Sequence, residues 1–340
     1  MSCLKIAREL KHILWRHTMK KILKSLLIAC ALSASIAHAA YPNKSVRITV
    51  PYPSGQTTDV IARLLAEQLS KELGQPFIVE NKGGAGGIIG VESAKRDKPD
   101  GYNFLIAASG PLGINPSLYT NLPYNPAEDF TAVSMISMVP LFLVTRSDIP
   151  ADNLPDLLNY LKQNPNKINY GSGGIGLTNH LTMEMFKKAT GLKMTHIPYR
   201  GATAAVTGLI GGDTTIMFEA APAIKPLVLD GRLKVFGVAN KSGAQAFENV
   251  QPLAKLGIDN FDATAWIAMV APKGTPNEAI QIINEKVQKI LQDPDLKEKL
   301  ANVGNEIFLA SPQESQEFIL KEIKNWNAAT KAAGVEPNKL

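Results

Sequence analysis

The sequence predicts an α/β protein with two lobes, each a mainly parallel sheet flanked by helices. From Tyr41 onward, β-branched runs of strand length alternate with amphipathic helical patterns, which is typical of parallel sheets with crossover helices. A strand–loop–helix module occurs at 46–69 and again at 168–188. A mature chain of about 300 residues is long enough for two domains. We therefore expect two lobes whose helix N-termini face a common cleft.

The first 39 residues have the features of a secretory signal peptide. Basic residues precede an apolar run at 26–36 that is too short to span a membrane, and an A-x-A cleavage site ends at Ala39. We expect export, cleavage near Ala39 and a soluble mature protein in the periplasm. Translation is expected to start at Met19, because an earlier start adds a basic run that a signal does not need. Lipidation at Cys30 is the alternative, since the residues before it resemble a lipoprotein signal.

The charge and cysteine content of the mature chain argue against several kinds of function. The whole chain carries 36 Lys and Arg against 30 Asp and Glu, a net charge of +6. Residues 1–39 hold seven of the basic residues and one of the acidic ones, so 29 of each remain and the mature net charge is zero. That balance gives no support for nucleic-acid binding. Both cysteines precede Ala39 and only two histidines follow it, so we expect no disulfide and no metal site.

In the first module, a buried strand at 46–50 leads through a Pro/Gly loop into a helix that continues to Leu69. Thr57 or Thr58 is expected to cap this helix, with Asp59 in its first turn. A helix N-terminus presents free backbone N–H groups and the positive end of the helix dipole. The loop is therefore expected to bind a small anion.

The rest of the first half continues the alternation. Its predicted elements are a strand at 76–80, a Gly-rich loop at 81–87, a helix at 88–96, a strand at 102–107 and a small-residue loop at 108–111. The Gly-rich loop lacks a following Lys-Ser/Thr pair, so it is not a phosphate-binding P-loop. We expect its glycines to allow close backbone approach between the lobes or to a neighbouring helix. The apolar stretch 130–144 can hold two consecutive strands, or one strand that crosses between the lobes.

The second half opens with a helix from Pro155 to Lys162 and then repeats the first module. Thr178 or Asn179 is expected to cap the helix of this second module. The predicted elements are strands at 168–170, 194–199, 215–219 and 234–239, a return crossing strand at 265–271, and helices at 178–188, 203–210, 276–291, 294–303 and 312–329.

The loop Gly171–Gly176 has the sequence GSGGIG, which matches G-x-G-x-x-G between a strand and a helix, the setting of a dinucleotide site. No Asp or Glu occurs between Glu184 and Asp213, so the acid that would bind the ribose is missing. An exported protein also has no evident nicotinamide supply. A tight turn without a ligand is a second interpretation. We favour a third, in which the N–H groups of the loop capture a small anion.

Four polar residues in or near this loop allow more than one interpretation. Ser172 and His180 could suggest an exported hydrolase, but no carboxylate is placed to orient the histidine and no G-x-S-x-G elbow is present. We favour a structural role for His180, and expect His196, which lies in a strand, in the core or between the lobes. Glu219 ends a strand, where open α/β sheets bind ligands, so it is expected to accept a hydrogen bond from a ligand or from a neighbouring loop.

A series of short motifs runs through the mature chain. They are Tyr41-Pro-x-Lys44, Val50-Pro-Tyr-Pro-Ser-Gly with Thr58-Asp59, Leu73-Gly-Gln-Pro, Val79-Glu-Asn-Lys with Gly84-Ala-Gly-Gly, Pro99-Asp-Gly-Tyr, Asn115-Pro-Ser-Leu-Tyr, Leu122-Pro-Tyr, Gly174-x-Gly176 with His180-Leu, His196-x-Pro-Tyr-x-Gly201, Met217-Phe and Ala271-Pro-x-Gly-Thr-Pro276. In this order and combination they resemble the Bug family, the extracytoplasmic solute receptors of tripartite tricarboxylate transporters. The resemblance covers nearly all of 41–335.

The resemblance implies a two-lobed periplasmic binding protein of type II-like architecture, with a hinged cleft, no catalysis and no cofactor. It implies lobe 1 at 40–144 and 266–340, lobe 2 at 145–265, and two crossing strands between them. The implied ligand is a small carboxylate, and the implied partners of the monomeric receptor are the membrane permease subunits of a tripartite transporter. The positions that match the family's ligand site are Tyr52, Ser54, Gly55, Gln56, Thr57, Thr58, Ser109, Gly110, Ser172, Gly174, Ile175, Gly176, Leu177, Thr178 and Glu219.

This chain departs from the family's usual pattern in ways that bear on the ligand. Gln56 stands where Gly is common, Ile175 and Leu177 where Asn and Thr or Ser are frequent, and Glu219 where Asp is commoner. These changes make the second-lobe wall less polar, so we expect a carboxylate with an apolar or aromatic body rather than a citrate-like polyacid. A receptor that docks on a two-component sensor, and an exported hydrolase, are the alternative functions.

Overall fold

The fold is that of a computed structural model, which describes residues 41–165, 167–199, 201–247, 249–302, 304–332 and 334–338, together with Trp15 and Met19. The rest of the predicted signal peptide, including Cys30 and the cleavage position at Ala39, lies outside the described residues. Residues Lys44–Leu340 form one compact unit and Met1–Asn43 another. No helix in the described part of the chain is both long and apolar enough to cross a membrane.

The first half of the larger unit contains three parallel strands. β1 (Val46–Val50) lies between β2 (Phe77–Asn81) and β3 (Asn103–Ala108). The β-branched side chains of β1 are fully buried, as a central strand of a parallel sheet requires. The helices here are α1 (Thr57–Leu73), α2 (Ile88–Lys95), α3 (Asn115–Leu118) and α4 (Pro126–Asp129). The strands and the two longer helices predicted for this half are confirmed, with ends shifted by few residues.

The apolar stretch 130–144 forms a single strand, β4 (Phe130–Arg146), of 17 residues. Its first part pairs with β9 (Thr264–Pro272), and its last part pairs with β7 (Ile216–Ala220) and β8 (Leu233–Val238), all antiparallel. β9 also pairs with β3. Of the two arrangements expected for this stretch, one long crossing strand is the one found. The two halves of the sheet therefore share β4.

The second half repeats the parallel arrangement. β5 (Asn169–Ser172) lies between β6 (Thr195–Pro198) and β7 and runs parallel to both. The helices of this half are α5 (Leu154–Gln163), α6 (Thr178–Thr190), α7 (Ala202–Gly211) and α8 (Ala221–Leu229). The sequence did not predict α8, because Pro226 lies inside it and an internal proline disfavours a helix.

The C-terminal segment returns to the first half. It contains α9 (Asn277–Leu291), α10 (Pro294–Asn302), the two-residue strand β10 (Glu306–Ile307) on β4, and α11 (Pro312–Ala332). The strand order is β2-β1-β3-β9-β4-β7-β5-β6, with β8 and β10 also on β4. The predicted α/β class, with a group of parallel strands in each half and flanking helices, is confirmed, but β4 and β9 join the two groups through antiparallel pairs, so the sheet is mixed. The lobe boundaries at 144/145 and 265/266 stay a prediction.

One apolar cluster connects the two halves. Leu118 of α3 and Trp326 of α11 belong to the same buried cluster as Phe186 of α6 and Phe218 of β7. α11 accordingly contacts α3, β4 and α6. The C-terminal helix therefore packs against elements of both halves, including α6, which begins directly after the second predicted ligand loop.

The predicted N-caps of α1 and α6 are wrong. Gln56 precedes α1 and Leu177 precedes α6, and neither side chain bonds to the N–H groups of its helix. At α1, the carboxylate of Asp59 instead accepts the Gly55 N–H at 2.8 Å, so the loop before the helix is fixed from within the first turn. At α6, Thr178 is the first helical residue and not the cap, and its hydroxyl oxygen lies 3.5 Å from that of Ser109.

The Gly-rich loop makes the close backbone approach that its composition predicts. In the loop, a Cβ at Gly83 would lie 3.0 Å from Cδ of Pro53; in α2, which follows the loop, a Cβ at Gly90 would lie 2.6 Å from the Cα of Pro51. A side chain at Gly90 would therefore collide with the main chain. The approach at Gly83 is to the loop that follows β1 in the same half, and the expected approach to a neighbouring helix is found at Gly87, where a Cβ would lie 3.2 Å from Cγ of Pro111 in the helical turn Gly110–Ile114.

Candidate functional site

The first predicted ligand loop, Tyr52–Thr58, connects β1 to α1. Gly55 has a φ of 87°, which glycine adopts without strain, and this turns the chain into the helix. The N–H groups of Thr57 and Thr58 have no acceptor within the described part of the chain. They are the donors that a helix start offers to an anion. Ser54, Gly55, Gln56 and Thr57 are exposed, Tyr52 is half-buried and Thr58 is buried.

A buried carboxylate fixes this loop. Asp59 accepts hydrogen bonds from the Gly55 N–H at 2.8 Å, from Nε of Arg63 at 3.1 Å and from Nδ2 of Asn81 at 2.8 Å. Asn81 Nδ2 also donates to the carbonyl of Tyr52 at 3.0 Å. Burial by itself would raise the pKa of Asp59, but the bonds from Arg63, Gly55 and Asn81 outweigh it and hold the pKa below its ordinary value. The ionised side chain therefore holds the loop in place.

The end of β3 connects the first loop to the second. The phenol of Tyr52 bonds to the backbone of Ala108, and burial raises the pKa of that phenol well above its ordinary value, so it stays neutral. Ser109, which comes next, is 1 % exposed, and Gly110 begins a wide helical turn. The Ser109 hydroxyl oxygen lies 3.5 Å from that of Thr178, the first residue of α6. Two contacts thus join the first loop, the end of β3 and the start of α6.

The second predicted ligand loop begins later than the sequence suggests, because Gly171 and Ser172 belong to β5. Two of its N–H groups are used within the loop: Gly174 donates to Oγ of Ser172 at 3.2 Å, and Gly176 donates to Nδ1 of His180 at 3.0 Å. Capture of an anion by these two N–H groups is therefore wrong for this conformation. In the described part of the chain, the loop N–H groups without an acceptor include those of Ile175, Thr178 and Asn179.

The suggested Ser172–His180 pair does not form. The Ser172 hydroxyl is fully buried and lies 2.6 Å from Nε2 of His196 and 3.1 Å from the carbonyl oxygen of Gly174. Burial lowers the pKa of His180, and burial together with neighbouring His180 lowers the pKa of His196 to about 4. Both rings are therefore neutral at neutral pH. The structural role expected for His180 is the one found, through its bond to Gly176.

Glu219 lies at the end of β7 and is 6 % exposed. It accepts hydrogen bonds from the Ala220 N–H at 2.9 Å and from Nδ2 of Asn179 at 3.3 Å. Burial raises the pKa of this carboxyl above its ordinary value, against these two bonds. Of the two roles expected for Glu219, contact with a neighbouring loop is not the one found among its hydrogen bonds in the described part of the chain, since Asn179 lies in the first turn of the helix α6. A contact with the ligand stays a prediction.

The second loop also touches the first half directly. A Cβ at Gly176, which has a φ of 79°, would lie 2.4 Å from Cδ1 of Leu118. Leu177 is turned toward its own loop, because its Cδ1 lies 3.5 Å from the position of a Cβ on Gly174. Leu177 remains 48 % exposed and Ile175 is 65 % exposed. Ile175 is therefore the apolar side chain of this loop with the largest exposed fraction.

Sequence reasoning missed the polar residues that support the loops. Asn81, which anchors Asp59 and Tyr52, ends β2, and Asn179, which bonds Glu219, lies in the first turn of α6. His196 was assigned to the core or to the region between the lobes, yet it contacts the second loop. A signal was present: polar residues at the carboxyl ends of parallel strands and at helix starts converge on one edge of a sheet.

Comparison with known proteins gives consistent results. Residues 61–335 match the family model described as the tripartite tricarboxylate transporter family receptor. Protein BugT of Bordetella pertussis is 34 % identical over 313 residues, which span 92 % of this chain and 96 % of BugT. A solved R. palustris protein with adipate is 33 % identical with a TM-score of 0.75, over 88 % of this chain and 100 % of that one. The periplasmic binding protein BugD is 33 % identical with a TM-score of 0.72, over 88 % and 100 % respectively.

Proposed function

Because the chain belongs to the tripartite tricarboxylate transporter receptor family, we propose that it is a periplasmic receptor that holds a small carboxylate between its first and second loops. The loaded monomer delivers the carboxylate to the membrane permease subunits of a tripartite transporter. The adipate of the R. palustris relative supports a carboxylate as the ligand. In this proposal the receptor carries out no reaction, and the Ser172–His196 contact is a structural one between β5 and β6.

The observation that carries this proposal is the contact between Ser109 and Thr178. It brings two hydroxyl groups together beside the start of α6, where the N–H groups of Thr178 and Asn179 have no acceptor in the described part of the chain. The first loop, bonded to Ala108 through Tyr52, adds the N–H groups of the α1 start. These are neutral donors, and such donors stabilise an anion at a helix N-terminus without a cationic side chain.

The donors are numerous enough for useful affinity. A hydrogen bond to a charged group contributes about 1.5–3 kcal/mol. A micromolar dissociation constant corresponds to about 8 kcal/mol, before the cost of ordering the ligand and the loops. Four to six such bonds, with some apolar burial, would meet that requirement by this order-of-magnitude reasoning. A ligand that touches both loops also favours the closed arrangement, because only that arrangement allows both sets of contacts.

We further propose that the ligand has an apolar or aromatic body. The exposed side chains of Ile175 and Leu177 give the second loop an apolar surface, and adipate, the ligand of the R. palustris relative, has a four-carbon apolar chain. The site residues proposed for the ligand are Tyr52, Ser54, Gly55, Gln56, Thr57, Thr58, Ser109, Gly110, Ser172, Gly174, Ile175, Gly176, Leu177, Thr178 and Glu219. Within this set, Ser172, Gly174 and Gly176 hold the second loop in place and do not donate hydrogen bonds to the ligand.

A thermal-shift screen of the mature protein, residues 40–340, tests the proposal. The panel pairs adipate, aromatic diacids and tricarboxylates with the matching neutral amides. A ligand at one hundred times its dissociation constant stabilises a protein by about 2.7 kcal/mol, which gives a measurable shift. We expect shifts for acids and none for amides. Shifts for amides or amines without shifts for acids would contradict anion binding, and preference for a tricarboxylate would contradict the apolar body.

A further inference from the structure

Two histidine rings are stacked beside the second loop. The ring centroids of His180 and His196 are 4.1 Å apart and their planes differ by 11°. The ring of Tyr170 stacks on His196 at 4.7 Å. Tyr170 and His196 are direct neighbours in the parallel register of β5 and β6, which explains why these rings meet. The Tyr170–His196 part of the stack therefore follows from the strand register, and His180 joins it from α6.

His180 bonds to a residue of the second loop, and His196 bonds to Ser172, the last residue of β5 before that loop. Nδ1 of His180 accepts the Gly176 N–H at 3.0 Å, and this contact is buried. Nε2 of His196 lies 2.6 Å from Oγ of Ser172, and Ser172 accepts the Gly174 N–H at 3.2 Å. The two rings thus fix Ser172 and two positions of the loop that precedes α6. The N–H groups at the start of α6 follow these positions directly.

The contact with Gly176 sets the state of His180. A ring nitrogen that accepts a hydrogen bond carries no proton, so His180 is the neutral tautomer with its proton on Nε2. A doubly protonated ring would place an N–H of its own against the Gly176 N–H. Two donors cannot bond to each other, so protonation of His180 removes the contact and leaves a buried N–H without an acceptor.

The charged groups around the stack come from α6. Glu184 and Lys187 form an ion pair at 2.6 Å, and the Tyr170 hydroxyl donates to Glu184. Lys187 lies over the ring of Tyr170, 5.3 Å from its centroid. Burial is the largest influence on both histidines and lowers the pKa of each, while Glu184 opposes it and Lys187 adds to it. The surroundings therefore favour neutral rings at neutral pH.

We propose that His180 and His196 are positioning residues of the second loop, and that His180 must be neutral for the loop to hold a carboxylate at the start of α6. This inference rests on the proposed function. His180 does not touch the ligand in this account; it acts through Gly176, and His196 acts through Ser172 and Gly174. Acidification below the ordinary histidine range weakens binding, because it charges a ring that the loop needs as an acceptor.

Matched substitutions of His180 separate positioning from simple packing. His180→Asn keeps an acceptor where Nδ1 stands and does not titrate, whereas His180→Leu fills the space without an acceptor. With adipate as the calorimetric probe at pH 7.5, we expect His180→Asn to bind close to wild type and His180→Leu to bind about tenfold more weakly. His196→Gln, which keeps a hydrogen-bonding group near Nε2, is expected to bind close to wild type.

A pH series distinguishes positioning of the loop from a purely structural role, because only positioning makes the dissociation constant depend on the protonation of His180. Adipate itself titrates, so the measured quantity is the ratio of the dissociation constants of wild type and His180→Asn from pH 7.5 to pH 5. We expect this ratio to rise only as the pH falls from the ordinary histidine range toward the lowered pKa of His180, because position 180 gains a proton in wild type and cannot in His180→Asn. Nitrogen NMR of the His180 ring at pH 7.5 should find the proton on Nε2.

The outcomes separate the two proposals. If wild type binds adipate but the ratio stays constant with pH, or the His180 proton lies on Nδ1, the positioning inference is overturned while the receptor function stands. If wild type binds none of the acids, both fall. If His180→Leu does not fold, the ratio between wild type and His180→Asn still decides.

Discussion

The hydroxyl oxygens of Ser109 and Thr178 lie 3.5 Å apart, although 69 residues separate them in the chain. Ser109 follows β3 in the first half of the sheet, and Thr178 is the first residue of α6 in the second half. The contact marks where the ends of two parallel arrays meet. A ligand that binds both hydroxyl groups would bridge the two halves, so the loss of either hydroxyl should weaken binding.

Thr178→Val is expected to weaken adipate binding about tenfold, because it removes a hydroxyl donor at a charged ligand while keeping the side-chain shape. Ser109→Ala should have a similar effect. Isothermal titration calorimetry measures both. Thr207→Val is the matched control, since the Thr207 hydroxyl is exposed and bonds to the carbonyl of Thr203 within α7. Binding by Thr178→Val at wild-type strength would mean that the contact lies outside the ligand site.

Gly176→Ala should strain the backbone and also keep the second loop from its close approach to Leu118 of the first half. Its Cβ would lie 2.4 Å from Cδ1 of Leu118, and its φ of 79° disfavours any side chain. Gly191→Ala is the control for strain alone, because Gly191 has a φ of 70° with nothing within 4 Å of its Cβ position. We expect both variants to lose stability and Gly176→Ala alone to lose affinity for adipate by more than about tenfold. Equal affinities of the two variants for adipate would mean that the close approach of Gly176 to Leu118 does not contribute to binding.

Asp59→Asn should destabilise the protein in a pH-dependent way. The pKa of Asp59 is held below its ordinary value in the folded state, so its ionised form stabilises the fold above that ordinary value. This contribution is lost as the pH falls through the lowered pKa. We therefore expect denaturant unfolding to find wild type more stable than Asp59→Asn at pH 7, with the difference shrinking below about pH 4. Asp230→Asn, on an exposed turn, is the control; a difference that is independent of pH would refute the assignment.

Glu322→Ala should lower the melting temperature by several degrees. Oε2 of Glu322 accepts the indole N–H of Trp266 at 3.1 Å and that of Trp326 at 3.0 Å, and both indoles are buried. A buried N–H group left without an acceptor lowers the free energy of unfolding by about 1–3 kcal/mol. Glu317→Ala, an exposed position on the same helix α11, is the matched control for calorimetry. Equal melting temperatures for the two variants would mean that water replaces the lost carboxylate.

The strands and helices could be predicted from the local sequence, because buried apolar residues recur every second position in a strand and every three to four positions in a helix. Val46, Ile48 and Val50 alternate as β1, and the apolar positions of α1 recur at helical spacing. Strand neighbours could not be predicted in the same way. The meeting of Tyr170 with His196 requires the β5–β6 register, and that of Asn179 with Glu219 requires β7 to lie beside α6. Such contacts depend on tertiary pairing, which a single sequence does not encode locally.

The same limit explains the errors at the loops. A threonine at a helix start is usually read as a cap, yet at α1 the carboxylate of Asp59 bonds the loop N–H from inside the first turn. At the second loop, the glycines suggested free N–H groups, but Gly174 and Gly176 already donate to Ser172 and His180. Composition locates the two loops, whereas the three-dimensional structure is needed to separate N–H donors that already have an acceptor from those that do not.

The sharing of β4 between the two halves also has a consequence for the order of folding. Strands β5 to β8 lie between residues 169 and 238, so their half of the sheet comes from one continuous segment. The other half needs β9, which pairs with β3 and β4 from more than 100 residues further along the chain. Long-range pairing slows folding because a large loop must close first. The β5–β8 half can therefore fold before the half that contains β1, β2 and β3, which must wait for β9.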